Sequence, residues 1–367
     1  MKKRICWITS GYLLQVDLPI LYKIKEWFNL KWVVYAEPGS DMAQHALDYA
    51  RKHEIDIMFF SSHHHRYSPL IYFDFAKQMR MLSKIYADIY YFNIIAFPYL
   101  IFAIKHYLPS PKVVMAMHHG AVPTLMDFRL LYRYYLKFLC AQPFTFQYFS
   151  LSQAAYFTGN QDKCHVINLS LNNYGKSTLQ PPKDYVSFLF FGVIIGTKNV
   201  AGIIQAACIV KERTQKKFKV KIVGHCRDWK PYEKLIKYPD IFDLKIERVP
   251  DNIIPDLFSS SHYLLQPYTF VSQSGPLRMA YGYNLPVITS DLEGFKEYVI
   301  DGVTGRVCKA GDVESLAKVM QEVIDNHPEM YNTLRSEQAE YIKENISQEV
   351  ILAKYKSMFN KVVSEQI

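Results

Sequence analysis

Short apolar runs alternate with segments of helical periodicity along the whole chain. In the first half the β-rich runs are residues 4–10, 31–36, 56–60, 88–93 and 112–117. Strands that alternate in this way with amphipathic helices form βαβ units. The pattern therefore predicts a parallel sheet that is covered by helices on both faces.

A second series of the same kind begins after the polar segment 171–185. Its predicted strands are residues 188–191, 219–223, 245–248, 263–266 and 287–289, with helices such as 199–215 between them. We therefore expect an α/β fold with two doubly wound Rossmann-like domains that face each other across a cleft. Ligands of such sheets bind beyond the carboxyl ends of the strands.

The predicted domains are residues 1–175 and 176–345. The helical periodicity of residues 348–363 predicts a final helix within 346–367, which can cap either domain and which we expect on the first. The apolar tract 94–104 is too short to span a membrane, because a span needs about 18 residues or more, and is interpreted as a buried helix.

The length and composition fit this division. At 367 residues the chain is too long for one ordinary hydrophobic core, and 50% of its residues are apolar. The net charge is +9, of which residues 1–175 carry +7 (18 Lys/Arg against 11 Asp/Glu) and residues 176–367 carry +2 (25 against 23). A basic half suits an anionic membrane surface, and equally a solvated face with surplus lysine. No motif for nucleic-acid binding is present, so a nucleic acid is not expected as a partner.

The six cysteines are scattered singly, which argues against a zinc site or a disulfide framework. The basic start lacks a long apolar region and a small-residue cleavage site, so no secretory signal is predicted. We expect a cytoplasmic protein, with peripheral contact to the inner face of the cell membrane as a possibility.

The segment 272–290, SQSGPLRMAYGYNLPVITS, contains a short helix between a polar turn and a strand. Pro276 suits the first helical position, Ser274 and Gly275 suit the cap, and Asn284 suits the left-handed conformation that ends a helix. The amino end of such a helix attracts anions, although many capped helices bind nothing. A phosphate or a sugar hydroxyl is the expected ligand of this helix end.

The residues around this segment resemble a known family. The strings FLFFGVIIGTKNVAGIIQAA, KVKIVG and SGPLRMAYGYNLPVITSDLEGFKEYVIDGVTGRV are similar to the carboxyl-terminal half of the family-4 retaining glycosyltransferases of GT-B fold. The subgroup that this chain most resembles has a Ser-Gln-Ser-Gly turn and includes bacterial enzymes of capsule, exopolysaccharide and lipopolysaccharide assembly. The resemblance covers roughly residues 186–325, and the first half only by topology.

By this resemblance, Lys198 neutralises the donor diphosphate beside the Gly192 turn, as a point charge. Many relatives have an arginine directly after this glycine, where this chain has Val193. Arg278 or Arg227 is a candidate to compensate for that missing cation.

The SQSG turn matches the loop that reaches the donor sugar and phosphates. Most relatives have glutamates where this chain has Val271 and Met279, so the contacts are expected instead from Ser272, Gln273, Ser274 and Gly275. Candidates near the nucleobase are Arg248 and Val249. Glu297 matches a widespread family acid, for which capping a nearby turn is the structural alternative, and Glu293 is a candidate for acceptor contact.

In the first half, Gly11 follows the first strand at a place where relatives often have two glycines beside the diphosphate. His118, at the end of the strand VVMAM, matches a histidine that many relatives place close to the donor sugar, and His119 is an acceptor candidate. A histidine that is bonded into its own loop is the structural alternative for His118. The run His63–His65 has no nearby carboxylates in sequence, so we interpret it as an exposed loop and expect no metal.

The resemblance implies transfer of a sugar from a nucleoside diphosphate sugar to a hydroxyl of a saccharide or lipid-linked saccharide. It implies a hexosyltransferase that retains the anomeric configuration and needs no metal or other cofactor, with uridine favoured as the base and guanosine also plausible. The catalytic candidates are His118, Lys198 and Glu297. The alternatives are a catalytically weak or inactive nucleotide-sugar-binding subunit and a GT-B sugar-nucleotide epimerase, whose paired acids we do not find.

The acceptor is expected on the first domain. There the segment 128–149 interleaves Arg129, Arg133 and Lys137, each four residues apart, with aromatic residues. Such a helix face can lie on a membrane and receive a lipid-linked sugar, or it can be a core helix with a cationic edge.

Overall fold

The computed structural model describes residues 2–65, 68–94, 97–120, 129–172, 174–271 and 273–365. The chain forms two compact units. The first comprises the residues up to Ser170 together with those from Gln348 onward, and the second is Leu171–Ser347. These boundaries lie a few residues from the 175/176 and 345/346 boundaries that were expected from the sequence.

The described part of the first unit is a parallel α/β sheet with the strand order β3-β2-β1-β4-β5-β6-β7. Its strands are β1 (Arg4–Ser10), β2 (Asn29–Tyr35), β3 (Asp56–Phe60), β4 (Ile89–Asn93), β5 (Val113–Met117), β6 (Thr145–Tyr148) and β7 (Cys164–Val166). Its helices are α1 (Leu14–Trp27), α2 (Asp41–Lys52), α3 (Ile71–Ser83), α4 (Pro98–Tyr107), α5 (Arg129–Cys140) and α6 (Leu151–Ala154), with α14 (Gln348–Ser364) from the end of the chain.

The described part of the second unit is also a parallel sheet, with the strand order β10-β9-β8-β11-β12-β13. Its strands are β8 (Val186–Phe191), β9 (Phe218–Val223), β10 (Phe242–Lys245), β11 (Tyr263–Gln266), β12 (Val287–Ser290) and β13 (Gly305–Cys308). Its helices are α7 (Val200–Arg213), α8 (Lys230–Glu233), α9 (Ile254–Ser259), α10 (Gly275–Gly282), α11 (Glu293–Lys296), α12 (Val313–Asp325) and α13 (Glu329–Tyr341).

The predicted fold class is confirmed, because both units are parallel sheets with helices on their faces. One strand prediction was wrong: residues 245–248 were expected as a strand, but β10 is Phe242–Lys245 and pairs in register with β9. Phe242 is the buried residue of this edge strand. The strand therefore begins at Phe242, three residues before the expected start. The short strands β6, β7 and β13 were not predicted.

Each central strand is buried on both faces. In β1, Ile5 and Trp7 belong to one apolar cluster, and Cys6 and Ile8 belong to the other. Helices on the two faces of a parallel sheet exclude water from alternate side chains in both directions. The middle of β1, Ile5–Ile8, is therefore continuously apolar.

The last helix packs on the sheet of the first unit. The ring of Phe359 lies 5.8 Å from that of Tyr91 in β4 and 6.1 Å from that of Trp7 in β1. The side-chain amide of Gln348 donates to the carbonyl of Pro19 in α1 at 2.6 Å. The chain thus returns to its first unit after completing the second.

Among the described residues, no helix is both long enough and apolar enough to cross a membrane. The apolar tract that was expected to form a buried helix over residues 94–104 lies largely in α4 (Pro98–Tyr107). Ile101 and Ile104 of this helix are buried, and Phe102 is exposed.

We predict that Phe359→Ala destabilises the first unit by about 3–5 kcal/mol, because it removes a buried ring from an aromatic cluster. Three of the four tryptophans, Trp7, Trp27 and Trp32, lie in the first unit, so urea unfolding followed by tryptophan fluorescence reports mainly on that unit. Ser357→Ala, at an exposed position of the same helix, is the control. Equal stability of the two variants would show that α14 does not hold this unit together.

Candidate anion site at the carboxyl edge of the second sheet

Two glycine loops meet where β8 and β9 end. Gly192 has a φ of 131° and Gly224 a φ of 153°, and both values lie in a region that side chains other than glycine rarely adopt. A Cβ atom on Gly224 would overlap the carbonyl oxygen of Gly192, so the two backbones are in direct contact. This contact fixes the start of the loop that carries Lys198.

Lys198 ends a single 3₁₀ turn, Gly196–Lys198, and its side chain is half-buried. Its ammonium lies 3.9 Å from the centroid of the Tyr268 ring. Burial lowers the pKa of Lys198 from its ordinary value, because the charged form loses hydration. The face of an aromatic ring partly compensates for that loss.

Asn199 holds the Lys198 turn against the loop that follows β11. It adopts a left-handed conformation with a φ of 54° and caps α7 by accepting from the N–H of Gly202 at 3.2 Å. Its side-chain amide donates to the carbonyl of Pro267 at 3.0 Å, and the N–H of Thr269 donates to the carbonyl of Thr197 at 3.0 Å. The two loops are therefore joined by hydrogen bonds at this edge.

The second loop ends in the cap of α10. The hydroxyl of Ser274 accepts from the N–H of Leu277 at 3.3 Å and donates to the side-chain oxygen of Gln266 at 3.1 Å. The amide nitrogen of Gln266 donates to the hydroxyl of Tyr268 at 3.2 Å. One hydrogen-bonded series thus runs from the helix cap to the ring that contacts Lys198.

The space in front of the first turn of α10 is open at Gly275. The helix begins at Gly275, so Pro276 is its second residue and not its first as expected. In the described part of the chain no heavy atom lies within 4 Å of a Cβ built on Gly275. Pro276 has no N–H, and the N–H of Leu277 donates to Ser274. The N–H of Gly275 is therefore the backbone donor of this turn that can bind a ligand. Asn284, with a φ of 50°, ends the segment as predicted.

Gln273 is the other polar residue of this turn with capacity to bind. Its side-chain nitrogen is buried and has no hydrogen-bond partner among the described residues. A buried donor without a partner costs free energy, which a bound oxygen would recover. Ser272, which was also predicted here, lies outside the described residues.

Two arginines were considered as replacements for a missing cation. Arg278 lies in α10 and is half-buried, and burial lowers its pKa to about 10, so it stays charged at neutral pH. Arg227 is exposed in the loop that follows β9. Val193, at the position where relatives often have arginine, is 56% exposed.

The remaining candidates of this unit also follow strand ends. Arg248 is exposed beyond β10 and Val249 is packed into the core. Glu293 begins the single-turn helix α11 and pairs with Lys296 at 2.6 Å. Glu297 is the half-buried residue that directly follows α11, and its carbonyl accepts from the hydroxyl of Tyr341 at 3.1 Å.

In the first unit, Gly11 is buried where β1 ends and a 3₁₀ turn begins. His118 follows β5; its Nε2 lies 2.7 Å from the side-chain oxygen of Asn93 and its ring 4.5 Å from that of Phe149. His119 is exposed. In the run His63–His65, His64 bonds to Asp74 at 3.1 Å, and the described residues contain no group of three His, Cys, Asp or Glu side chains that could hold a metal ion.

The sequence analysis found Lys198 and Ser274 but missed the residues that join them. Gln266 and Tyr268 are polar groups at the end of an apolar strand, and Asn199 is an asparagine directly before a helix. Those positions are the signal that could have revealed them.

The fold is that of the GT-B glycosyltransferases. Residues 176–346 match the family model of the glycosyl transferases group 1. An uncharacterized glycosyltransferase of Methanocaldococcus jannaschii is 25% identical over 190 residues, which is 50% of this chain and 47% of the relative. The match thus spans about half the length of that curated relative.

Solved structures share the fold across both units. A glycosyltransferase of Rickettsia africae superimposes with a TM-score of 0.77 at 14% identity, covering 99% of each chain. Anabaena Alr3699/HepE in complex with UDP has a TM-score of 0.76 at 16% identity, covering 98% of this chain and all of that one. The lipopolysaccharide outer core galactosyltransferase WaaB has a TM-score of 0.71 at 14% identity, covering 99% of this chain and all of that one.

We predict that Gly275→Val folds normally but loses its affinity for inorganic diphosphate. The added side chain enters open space, so the free energy of unfolding should change by less than about 1 kcal/mol, whereas it blocks approach to the helix amino end. Gly224→Ala, which would press on the Gly192 carbonyl, should destabilise by about 2 kcal/mol or more. Thermal unfolding with and without diphosphate checks both, and retained protection of Gly275→Val would remove this turn from the site.

Proposed function

We propose that this protein is a retaining glycosyltransferase. It transfers a sugar from a nucleoside diphosphate sugar, with UDP favoured, to a hydroxyl of a saccharide or lipid-linked saccharide in surface polysaccharide assembly. The observation that carries this proposal is the connected arrangement of Lys198, Tyr268, Ser274 and the amino end of α10. The group 1 match and the UDP bound to the Anabaena neighbour support it.

The proposed chemical role of this edge is to stabilise the departing diphosphate. The ammonium of Lys198 supplies a point charge, and the open N–H of Gly275 with the helix dipole supplies a second positive end. Both are fixed by the loops before the ligand arrives, so little reorganisation is needed as negative charge develops. The residues thus supply positive charge that a metal supplies in other transferases, and we propose that turnover continues in EDTA.

The other residues have proposed roles that rest on the resemblance. His118 contacts the donor sugar, Glu297 lies near it, and Arg248 with Val249 borders the base. Gly11 and Gly192 allow close approach of the diphosphate, and Arg278 adds charge from α10. Glu293 and His119, both exposed, are proposed for the acceptor.

A second candidate is a nucleotide-sugar-binding subunit without strong catalysis. It is favoured by the exposed Val193 where relatives often have an arginine, and by Val271 and Met279 where most have glutamates. Such a subunit would bind the donor and not turn it over.

We predict that Lys198→Ala lowers transferase activity at least about tenfold, because the departing diphosphate loses a prepositioned charge. It should also abolish the stabilisation by UDP, which for wild type reaches about 2.7 kcal/mol at a hundredfold excess over the dissociation constant. Thermal shift with UDP, GDP and their sugar conjugates in EDTA, followed by a radiolabel transfer assay, measures both. Binding without transfer by wild type would favour the subunit.

Lys221→Ala is the matched control, because Lys221 is also half-buried in the same unit and burial also lowers its pKa. Its ammonium donates to the carbonyl of Ser260 at 2.8 Å, near the amino end of β11 and away from the loops of the anion site. The UDP-induced shift of this variant should equal that of wild type. An equal loss in both variants would indicate a general effect of removing a buried lysine.

We also propose that the first unit contacts an anionic membrane through the exposed face of α5 and α4. Leu130, Leu131 and Tyr134 are 72%, 70% and 69% exposed, and Arg133 and Lys137 lie exposed among them. Phe102 of α4 extends this face, since its ring lies 5.5 Å from that of Phe138. Apolar side chains interspersed with cations suit the boundary between headgroups and acyl chains. The predicted segment 128–149 contributes only in part, because it also contains the buried strand β6.

We predict that wild type sediments with vesicles that contain anionic lipid at low salt, and that Arg133→Glu/Lys137→Glu weakens this partition about 30-fold or more. Each lost cation costs about 1 kcal/mol near an anionic surface. Lys318→Glu/Lys343→Glu, which changes two exposed lysines of the second unit, is the control of equal charge. Identical sedimentation of both double variants would rule out this face.

A further inference from the structure

A row of buried polar groups crosses the sheet of the first unit behind His118. Thr9 in β1, Asp17 in α1 and Asn93 in β4 are each completely buried. Polar side chains in such a position are costly unless they satisfy one another. The sequence analysis assigned no role to Asp17 or Asn93.

The groups form one continuous series of hydrogen bonds. The indole nitrogen of Trp32 donates to the Thr9 hydroxyl at 3.0 Å, and that hydroxyl donates to Asp17 Oδ2 at 2.6 Å. The amide nitrogen of Asn93 donates to Asp17 Oδ1 at 2.8 Å. The other end of the Asn93 amide, its oxygen, lies 2.7 Å from Nε2 of His118.

This order of donors fixes the imidazole. Because Asp17 accepts from the nitrogen of the Asn93 amide, the oxygen of that amide faces His118. An oxygen at this distance requires a proton on Nε2 of His118. The neutral imidazole therefore carries its proton on Nε2.

Asp17 is also the only carboxyl group in this series. Burial raises its pKa to about 7 even though its hydrogen bonds from Thr9 and Asn93 act to lower it, so Asp17 is partly ionised at neutral pH. Its place in the first turn of α1 favours the ionised form as well. The titratable groups that interact with it in the described residues are Tyr49, Tyr91 and Tyr355, whose pKa values burial raises, so these three stay neutral.

We propose that Asp17 is a positioning residue that acts through Asn93: it holds His118 in the Nε2–H form and increases the fraction of His118 that carries positive charge at neutral pH. The carboxylate orients the Asn93 amide, and the aligned dipoles favour the imidazolium. The catalytic consequence rests on the proposed function, in which His118 contacts the donor sugar. The protonation state of His118 does not rest on it.

The test is nitrogen-15 NMR of the histidine side chains in the full chain, with the His118 signals assigned by their loss in His118→Gln. In wild type, Nε2 should be the protonated nitrogen across the neutral range. Asp17→Asn keeps an acceptor for Asn93 but removes the charge, so Nε2–H should persist while the pKa of His118 falls by about 1. A proton on Nδ1 with a bare Nε2 in wild type would overturn the proposal, as would an unchanged pKa in Asp17→Asn.

The matched control is Asp74→Asn. Asp74 is another largely buried acid of the first unit that bonds to a histidine, since its Oδ2 lies 3.1 Å from Nδ1 of His64. This variant should leave the signals of His118 unchanged. Equal changes at His118 in both variants would mean that the effect is a general loss of structure, which contradicts the proposed route through Asn93.

A third variant tests the route itself. Asn93→Leu removes the link, so adding Asp17→Asn to it should change the pKa of His118 no further. In the transfer assay, Asp17→Asn should shift the pH profile of kcat while the KM for the donor stays the same. If His118→Gln transfers sugar as well as wild type does, the proposed role of His118 fails, and the NMR result still decides the role of Asp17.

Discussion

The contact between Lys198 and the ring of Tyr268 is the interaction on which the candidate anion site depends. It places the ammonium 3.9 Å from the ring centroid, at the edge where the parallel strands β8 and β11 end. The same tyrosine accepts from Gln266, which in turn accepts from the cap of α10. The buried side chains of Tyr268, Gln266 and Ser274 thus connect a cation to the amino end of a helix.

The buried polar groups of the two units are arranged differently. In the second unit the polar series lies at the sheet edge and leaves positive groups open to a ligand. In the first unit the series from Thr9 to Asn93 is sealed within the sheet and meets the half-buried His118 at its end. The first arrangement suits charge stabilisation, and the second suits control of a single side chain.

The path of the chain links the units covalently at two places. It leaves the first unit after Ser170 and returns at Gln348, where α14 places Tyr355 and Phe359 on the sheet. The first unit therefore needs both ends of the chain to complete its core. The second unit is a continuous segment, which agrees with a family match confined to residues 176–346.

The sequence by itself determined the parallel α/β class, because apolar runs between amphipathic helices leave few other ways to bury both faces of a sheet. It also determined the cap of α10 and the left-handed Asn284, because these depend on neighbouring residues alone. It could not determine the register of the edge strand β10, where only Phe242 is anchored in the core. It also could not bring Tyr268 to Lys198, or Asp17 to His118, because those pairs are joined by parallel pairing of strands far apart in the chain. Only the tertiary structure decided which polar residues share a neighbour, since that choice follows from strand order and not from spacing.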